Sequence, residues 1–342
     1  MAKLKLGIVN STSIKNSYGG ISPFMKNLDP FLREAFDVTY IVLPDSLNNV
    51  KLIPQRLVYM AYLMMKKNKL KKLDAVLSHV PEGSLIVSYS KTPLIHIFHG
   101  NFNPMTGSRF WYGKYFLKVF EKIEQRIIKK ATLMYTVGNE RQGIPKIFNP
   151  VYHHVTIKND ESRSGFIFSG RLEKGKNIDK IITVYSKLRQ DIQEANPLYI
   201  AGMGSLDSPL KELASSLILK GKVIFLGSLS NDTVMETVSS KKILLMASSF
   251  EGFPMAIAEA LSLGVPVIST DTGDISRFLK HNDNGCLLPV SFNDEEYVKS
   301  IETILNDYNR FSKNALSSSQ VFNAQGVAQH LINNISQAIS QK

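Results

Sequence analysis

The chain has one cysteine, Cys286, among 342 residues, which excludes an internal disulfide and fits a reducing compartment. It has no run of about 18 uninterrupted apolar residues, so no helix in it is expected to span a bilayer. The apolar stretch within residues 1–10 is too short for a signal peptide and is expected to enter the fold as a first strand. Long low-complexity tracts and internal repeats are missing too, so disorder is expected only at the termini. These absences together lead to the expectation of a cytoplasmic location.

What is present is a globular composition, 44% hydrophobic and 20% charged. The length suits two domains of roughly 150 residues each. The formal charge of +12 is unevenly spread. Residues 1–155 hold 22 basic against 9 acidic side chains, and residues 156–342 hold 19 against 20. Such asymmetry points to an anionic partner for the first half alone.

Short apolar runs alternate with helical patterns in both halves, the signature of parallel sheets with crossover helices. The first half is expected to place strands at 4–9, 38–43, 85–88, 94–98 and 133–137. The second is expected to place them at 166–169, 198–201, 223–226, 243–246 and 265–269. The fold class is therefore α/β, with two Rossmann-like domains in tandem. Residues 149–165 lack a clear period and read as the linker. The expected domains are 1–155, 165–320 and a C-terminal helix, 321–342, packing back on the first.

Chemistry concentrates in the second half. After the strand at 166–169 comes Gly170-Arg171-Leu172-Glu173-Lys174-Gly175-Lys176-Asn177, then a helix with Ile178, Ile181, Ile182, Tyr185 and Leu188 on its apolar face. Arg171 and Lys176 at the carboxyl edge of a parallel sheet suit a diphosphate; the alternative is a solvated loop. Ile200-Ala201-Gly202-Met203-Gly204 ends a strand with two glycines that let a ligand approach the backbone. The third glycine of a dinucleotide fingerprint is absent, which argues against an NAD site. Val223-Ile224-Phe225-Leu226-Gly227 reads either as the flank of a nucleobase or as a buried strand.

The most specific segment is Ser248-Ser249-Phe250-Glu251-Gly252-Phe253-Pro254-Met255-Ala256-Ile257-Ala258-Glu259. Pro254 fits the first helical position, which puts Glu251 before the helix and Glu259 in its second turn. A helix start collects anions through its free N–H groups, so the two carboxylates are expected to meet different parts of one ligand.

Gly170-Arg171-Leu172 with Lys176, the Gly202/Gly204 turn, and Glu251 with Glu259 together resemble glycosyltransferase family 4, retaining nucleotide-sugar enzymes of GT-B architecture. The resemblance implies two Rossmann-like domains whose parallel sheets face across a cleft, with 1–155 binding the acceptor and 165–320 binding the nucleotide-sugar donor. It implies that Arg171 and Lys176 bind the donor diphosphate, that Glu251 holds hydroxyls of the transferred sugar and that Glu259 holds the ribose. Gly252 and Phe253, Gly202 and Gly204 are implied to belong to the same donor site. In the first half, Tyr18-Gly19-Gly20 resembles the glycine pair that approaches the donor, and His99 in Ile97-Phe98-His99-Gly100 resembles the histidine beside the sugar. Pro23, three residues after Gly20, is expected to delay the start of the following helix.

The chain has no Asp-x-Asp pair of the sort that other glycosyltransferases use to hold a divalent metal. The two cations are then expected to replace the metal, with no cofactor beyond the nucleotide-sugar donor. Retention is expected through front-side displacement, Glu251 being the only plausible carboxylate nucleophile for the alternative. An epimerase or phosphorylase of the same architecture and a non-catalytic binding subunit are the rival readings.

The basic first half holds two candidate membrane segments. Residues 56–73, RLVYMAYLMMKKNKLKKL, carry six cations and no acid. Residues 108–130 carry Arg109, Phe110, Trp111, Tyr112, Lys114, Tyr115, Phe116, Lys118 and Phe120. Basic and aromatic residues together suit an anionic headgroup interface, hence peripheral contact with the inner membrane face and a glycan or lipid-linked acceptor. Ordinary domain helices with solvated lysines are the alternative, and no nucleic-acid motif is present.

Overall fold

The computed structural model describes residues 3–10, 21–47, 55–99, 113–137, 141–251 and 253–341, with the backbone alone for Ser22 and residues 113–116. Among these, the chain divides into two compact units: Met1–Pro150 with Ala324–Lys342, and Val151–Asn323.

In unit 1 the order is β1 (Lys5–Val9), α1 (Ile21–Ala35), β2 (Asp37–Ile41), α2 (Gln55–Met65), α3 (Lys67–Leu70), β3 (Ala75–Ser78), α4 (Pro81–Val87), β4 (Leu94–His99), α5 (Gly113–Lys130) and β5 (Leu133–Val137). The five strands form one parallel sheet in the order β2-β1-β3-β4-β5. A parallel sheet covered by helices on both faces needs strands that are apolar on both sides. β3 and β4 meet this demand, being buried almost throughout.

Two expectations about this unit are corrected. Residues 85–88 lie on α4 and its C-cap, not on a strand. Four apolar residues do not by themselves separate strand from helix; Pro81 at the first helical position and Glu82 in the first turn supply the helix start. The strand actually present, β3, lies ten residues earlier in Ala-Val-Leu-Ser. Pro23 does not delay α1, which is already helical at Ile21. Pro23 falls in the first turn, where N–H groups have no helical acceptor to lose.

In unit 2 the order is β6 (Phe166–Ser169), α6 (Ile178–Ser186), α7 (Gln190–Ala195), β7 (Leu198–Ala201), α8 (Asp207–Leu213), α9 (Ser215–Leu219), β8 (Val223–Gly227), α10 (Asn231–Ser239), β9 (Ile243–Leu245), α11 (Met255–Ser262), β10 (Val267–Thr270), β11 (Gly285–Leu288), α12 (Asp294–Asn306) and α13 (Tyr308–Ser318). The six strands form a parallel sheet ordered β11-β10-β9-β6-β7-β8. All five residues of the apolar face read for α6 are buried in the core, with Phe166, Phe168 and Ile200 of the sheet.

The last helix, α14 (Ala324–Ser340), belongs to unit 1. Ala328, Leu331 and Ile335 share a core with Phe24, Met25 and Leu28 of α1 and with Leu6 and Ile8 of β1. Asn334 Nδ2 donates to the Tyr135 hydroxyl at 2.8 Å.

Candidate functional site

From β6 the chain of unit 2 adds strands outward in one direction, β7 then β8, and from β9 in the other, β10 then β11. The order reverses between β6 and β9, and open parallel sheets bind ligands beyond the carboxyl ends of their strands at such a reversal. Two loops leave the sheet there. One follows β6 and carries Arg171, then a 3-10 turn, Lys174–Lys176. The other follows β9 and carries Ser248, Ser249 and Glu251 before α11.

The loops are bonded to one another. Ser249 N–H donates to the Gly175 carbonyl at 2.9 Å. Asn177 Nδ2 donates to the Ala247 carbonyl and to Ser249 Oγ, both at 2.8 Å. Asn177 holds φ +49°, a left-handed conformation that asparagine tolerates better than most residues. It closes the 3-10 turn and opens α6, which fixes where Lys176 stands.

Lys176 Nζ lies 2.5 Å from Glu251 Oε1, and Ser248 Oγ donates to the same oxygen at 2.6 Å. Glu251 is buried, at 7% exposure, and the Lys176 side chain keeps 20%. Two donors on one oxygen hold the carboxylate in place, while the ammonium keeps further N–H bonds for an anion. Arg171 is differently placed: its side chain is 75% exposed and pairs with Glu173 at 2.9 Å. One of the two expected cations is therefore anchored against Glu251 and the other lies at the surface, paired with Glu173.

Gly202 and Gly204 have a packing use within the chain itself. A Cβ on Gly202, at φ +144°, would fall 1.8 Å from the Gly170 carbonyl oxygen. A Cβ on Gly204 would fall 2.3 Å from that of Leu172. What approaches these glycines is the chain's own loop after β6. Gly170 N–H bonds to the Ala201 carbonyl and Leu172 N–H to the Met203 carbonyl, each at 3.0 Å. The glycines thus seat the segment that bears Arg171.

Pro254 is the N-cap of α11 rather than its first residue, with φ −78° and ψ 98°. Glu259 sits in the second turn as expected; it is partly exposed, and loss of hydration raises its carboxyl to about 7. The opposite end of α11 is held by Arg163, whose fully buried side chain donates to the Leu263 and Gly264 carbonyls at 2.6 Å each. The Phe253 ring packs with Phe278 and Phe322, at centroid distances of 5.5 and 5.7 Å. Gly252, Gly19 and Gly20 lie outside the described residues.

His99, at the end of β4 in unit 1, is not a lone histidine. His79 Nδ1 lies 2.8 Å from His99 Nε2, and His96 Nδ1 lies 2.7 Å from Ser84 Oγ. Burial lowers the His96 and His99 imidazoles to about 3 and His79 well below its ordinary value, so all three are uncharged near neutrality. Sequence reasoning missed His79 because it follows the unrecognised strand β3. It missed Arg163 because nothing in the linker distinguishes that residue. Phe120, read as part of a candidate membrane segment, lies under the Arg56 guanidinium. Arg109, Phe110, Trp111 and Tyr112 lie outside the described residues, as do the side chains of Lys114, Tyr115 and Phe116. Among the described residues no three His, Cys, Asp or Glu side chains are grouped to hold a metal ion.

Comparison with known proteins bears on both units. The structure is similar to the lipopolysaccharide outer core galactosyltransferase WaaB in its apo form, with TM-score 0.68, 16% identity and 98% and 99% of the two chains covered. It is also similar to Anabaena Alr3699/HepE in complex with UDP, with TM-score 0.69, 16% identity and 98% and 100% covered. The fold is GT-B. Within this GT-B chain, residues 153–318 match the family model of glycosyl transferases group 1. A Campylobacter jejuni relative, N-acetylgalactosamine-N,N'-diacetylbacillosaminyl-diphospho-undecaprenol 4-alpha-N-acetylgalactosaminyltransferase, is 27% identical over 234 residues, 65% of this chain and 60% of that protein. The lipopolysaccharide 1,6-galactosyltransferase of Salmonella typhimurium is 29% identical over 165 residues, 47% of this chain and 44% of that protein. The GT-B chain spans about half the length of the curated relatives it matches.

Proposed function

We propose that this chain is a retaining glycosyltransferase that moves a sugar from a nucleoside-diphosphate sugar to a glycan or lipid-linked acceptor, in surface polysaccharide or glycolipid synthesis. The observation that carries the reading is the cation and carboxylate brought together at the strand-order reversal of unit 2, Lys176 against Glu251. The group 1 match over 153–318 covers the same residues and supports it.

In this reading Lys176 and Arg171 receive the diphosphate, Glu251 accepts hydroxyls of the transferred sugar, and Glu259 accepts the ribose hydroxyls. As the bond between the anomeric carbon and the diphosphate oxygen breaks, negative charge grows on the departing diphosphate, where the fixed ammonium and the guanidinium stabilise it. The acceptor oxygen bonds to the same face of the anomeric carbon, and its proton passes to the departing phosphate oxygen. The nucleoside diphosphate leaves, and no protein base is consumed. The two cations take the place of a divalent metal.

The chain is also proposed to touch anionic membrane through α2 and α3. Leu57, Met64 and Met65 are exposed there, beside Lys66, Lys67, Lys69, Lys71 and Lys72. Amphipathic segments with apolar side chains beside lysines bind anionic headgroups. No helix among the described residues is long and apolar enough to cross a membrane.

The test is incubation of the chain with labelled nucleotide sugars in EDTA, with and without lipid-linked glycan acceptors. Transfer, or slow donor hydrolysis that Glu251→Gln removes, supports the proposal. Failure of every nucleotide sugar to bind, or activity that disappears in chelator and returns with metal, overturns it.

A further inference from the structure

Beyond Leu245, the last residue of β9, Met246 N–H still bonds the Ile268 carbonyl of β10 at 2.8 Å. A chain that leaves a sheet inside the core must find other partners for its carbonyls, since a buried one left bare is costly. Three consecutive carbonyls here find side chains. Tyr297 Oη of α12 donates to the Met246 carbonyl at 3.0 Å, Asn177 Nδ2 at the start of α6 to that of Ala247 at 2.8 Å, and Thr270 Oγ1 at the end of β10 to that of Ser248 at 2.6 Å. Tyr297, Thr270 and Ser248 are all fully buried. Three separate elements thus clamp one three-residue segment, which ends on Ser248, three positions before Glu251.

What the clamp fixes is the Ser248 hydroxyl. A hydroxyl has one proton to give, and this one is given to Glu251 Oε1 at 2.6 Å. Lys176 shares the same oxygen on different terms. Its ammonium sits on a flexible four-carbon stem, keeps partial exposure and is attracted by any diphosphate that arrives. The buried Ser248 hydroxyl carries no charge and cannot follow. Once an anion draws the ammonium away, Ser248 is the donor that stays on Oε1, and with one oxygen so anchored the carboxylate meets a ligand hydroxyl in one orientation.

We infer that Ser248 is a positioning residue of the transfer reaction: it holds the Glu251 carboxylate in place after Lys176 has turned to the diphosphate, and Thr270 in turn holds Ser248. The inference deepens the transferase reading and rests on the roles proposed there for Lys176 and Glu251. The two residues act through Glu251 and need not touch the donor.

The test uses the full chain and the nucleotide sugar that it turns over fastest, and reads kcat, calorimetric affinity for the matching nucleoside diphosphate, and melting temperature on the same samples. Ser248→Ala is expected to lower kcat by about tenfold or more, the worth of one hydrogen bond to a charged group, while nucleoside-diphosphate affinity stays within about twofold of wild type. A general loosening of the loop would weaken both together. Thr270→Val keeps the shape, removes the bond to the Ser248 carbonyl and is expected to lower kcat by a smaller factor in the same direction. Thr270→Ser keeps the hydroxyl and is expected to recover most of the rate. A kcat within about twofold of wild type in folded Ser248→Ala, or a fall in kcat matched by an equal fall in nucleoside-diphosphate affinity, overturns the inference. If Ser248→Ala does not fold, the Thr270 pair decides on the same readouts, and Thr270→Ser no faster than Thr270→Val overturns it. A wild type that turns over no nucleotide sugar removes the transferase reading and the inference with it; normal turnover by the wild type and by Ser248→Ala alike removes only the inference.

Discussion

Lys176 Nζ and Glu251 Oε1 stand 2.5 Å apart although 75 positions separate them in sequence. The pairing follows from sheet order, since β6 and β9 are neighbours and each residue lies on the loop after its strand. An ammonium and a carboxylate so held neutralise each other in the free protein. An anion that takes the ammonium releases the carboxylate for other donors.

Removing either partner therefore has two measurable effects. Glu251→Gln keeps the shape and is expected to lower transfer by about 100-fold or more, on the scale of losing one fixed transition-state contact. Lys176→Met strands a buried carboxylate and is expected to destabilise unit 2 toward the lower end of about 3–5 kcal/mol, because Lys176 retains some exposure. Denaturant unfolding and initial rates on the same variants check both.

Glu259 predicts a pH dependence. Its carboxyl stands at about 7 in the folded chain against 4.5 for an unperturbed one, through loss of hydration. The native state holds a proton that the unfolded chain releases, so this group's contribution to stability is lost as pH rises from about 4.5 to about 7. On the role proposed for Glu259, nucleoside-diphosphate affinity should run the other way, rising by up to about tenfold per pH unit below 7, because the ionised form is the one that would accept ribose hydroxyls. The difference in melting temperature between the wild type and Glu259→Gln from pH 5 to 8 isolates the first trend from the buried histidines, whose contribution to stability rises with pH toward 6.5. Calorimetric affinities should show the second trend in the wild type and not in Glu259→Gln.

The two glycines after β7 predict a cost to the Arg171 loop. Gly204→Ala places a methyl group 2.3 Å from the Leu172 carbonyl oxygen, so the loop must shift. A loss of about 1–3 kcal/mol is expected, the usual range for overpacking. Donor affinity should fall with it, although the substituted residue need not touch the donor. Gly221→Ala, which has open space around its Cβ but φ +66°, serves as a control for strain alone.

Arg163 predicts a link between the start of unit 2 and the position of α11. Arg163→Met removes both donors to the Leu263 and Gly264 carbonyls and leaves Asp160 without that partner. Charged hydrogen bonds contribute about 1.5–3 kcal/mol each, so a loss of about 3 kcal/mol or more is expected on unfolding. Arg163→Lys should recover part of it, since an ammonium cannot reproduce the planar fork.

The exposed α2–α3 segment predicts membrane binding set by charge. Flotation with phosphatidylglycerol vesicles at moderate salt should retain the wild type, and replacing Lys67, Lys69, Lys71 and Lys72 by glutamine should release it. Retention by uncharged phosphatidylcholine vesicles to the same extent would contradict an electrostatic contact.

Much of the architecture was legible locally. Residues 166–169 and 198–201 form strands with the expected bounds, because uninterrupted apolar runs suit a sheet covered on both faces. β3 was missed because its four residues end in serine, and β11 because it opens on Gly285 and Cys286. Glu251 and Lys176 stood out as residue types, but their convergence depends on which strands lie side by side. That is a long-range fact with no trace in local pattern. The histidine pair was hidden for the same reason: His79 and His99 meet only because β3 neighbours β4.

The core of unit 1 contains Ala328, Leu331 and Ile335, residues made only after all of unit 2 has been synthesised. During translation, unit 2 can therefore finish packing first, while the apolar side of α1 waits for the final helix to emerge. A nascent chain arrested before residue 324 should carry a complete second unit on an unfinished first one, the reverse of the usual N-to-C order of maturation.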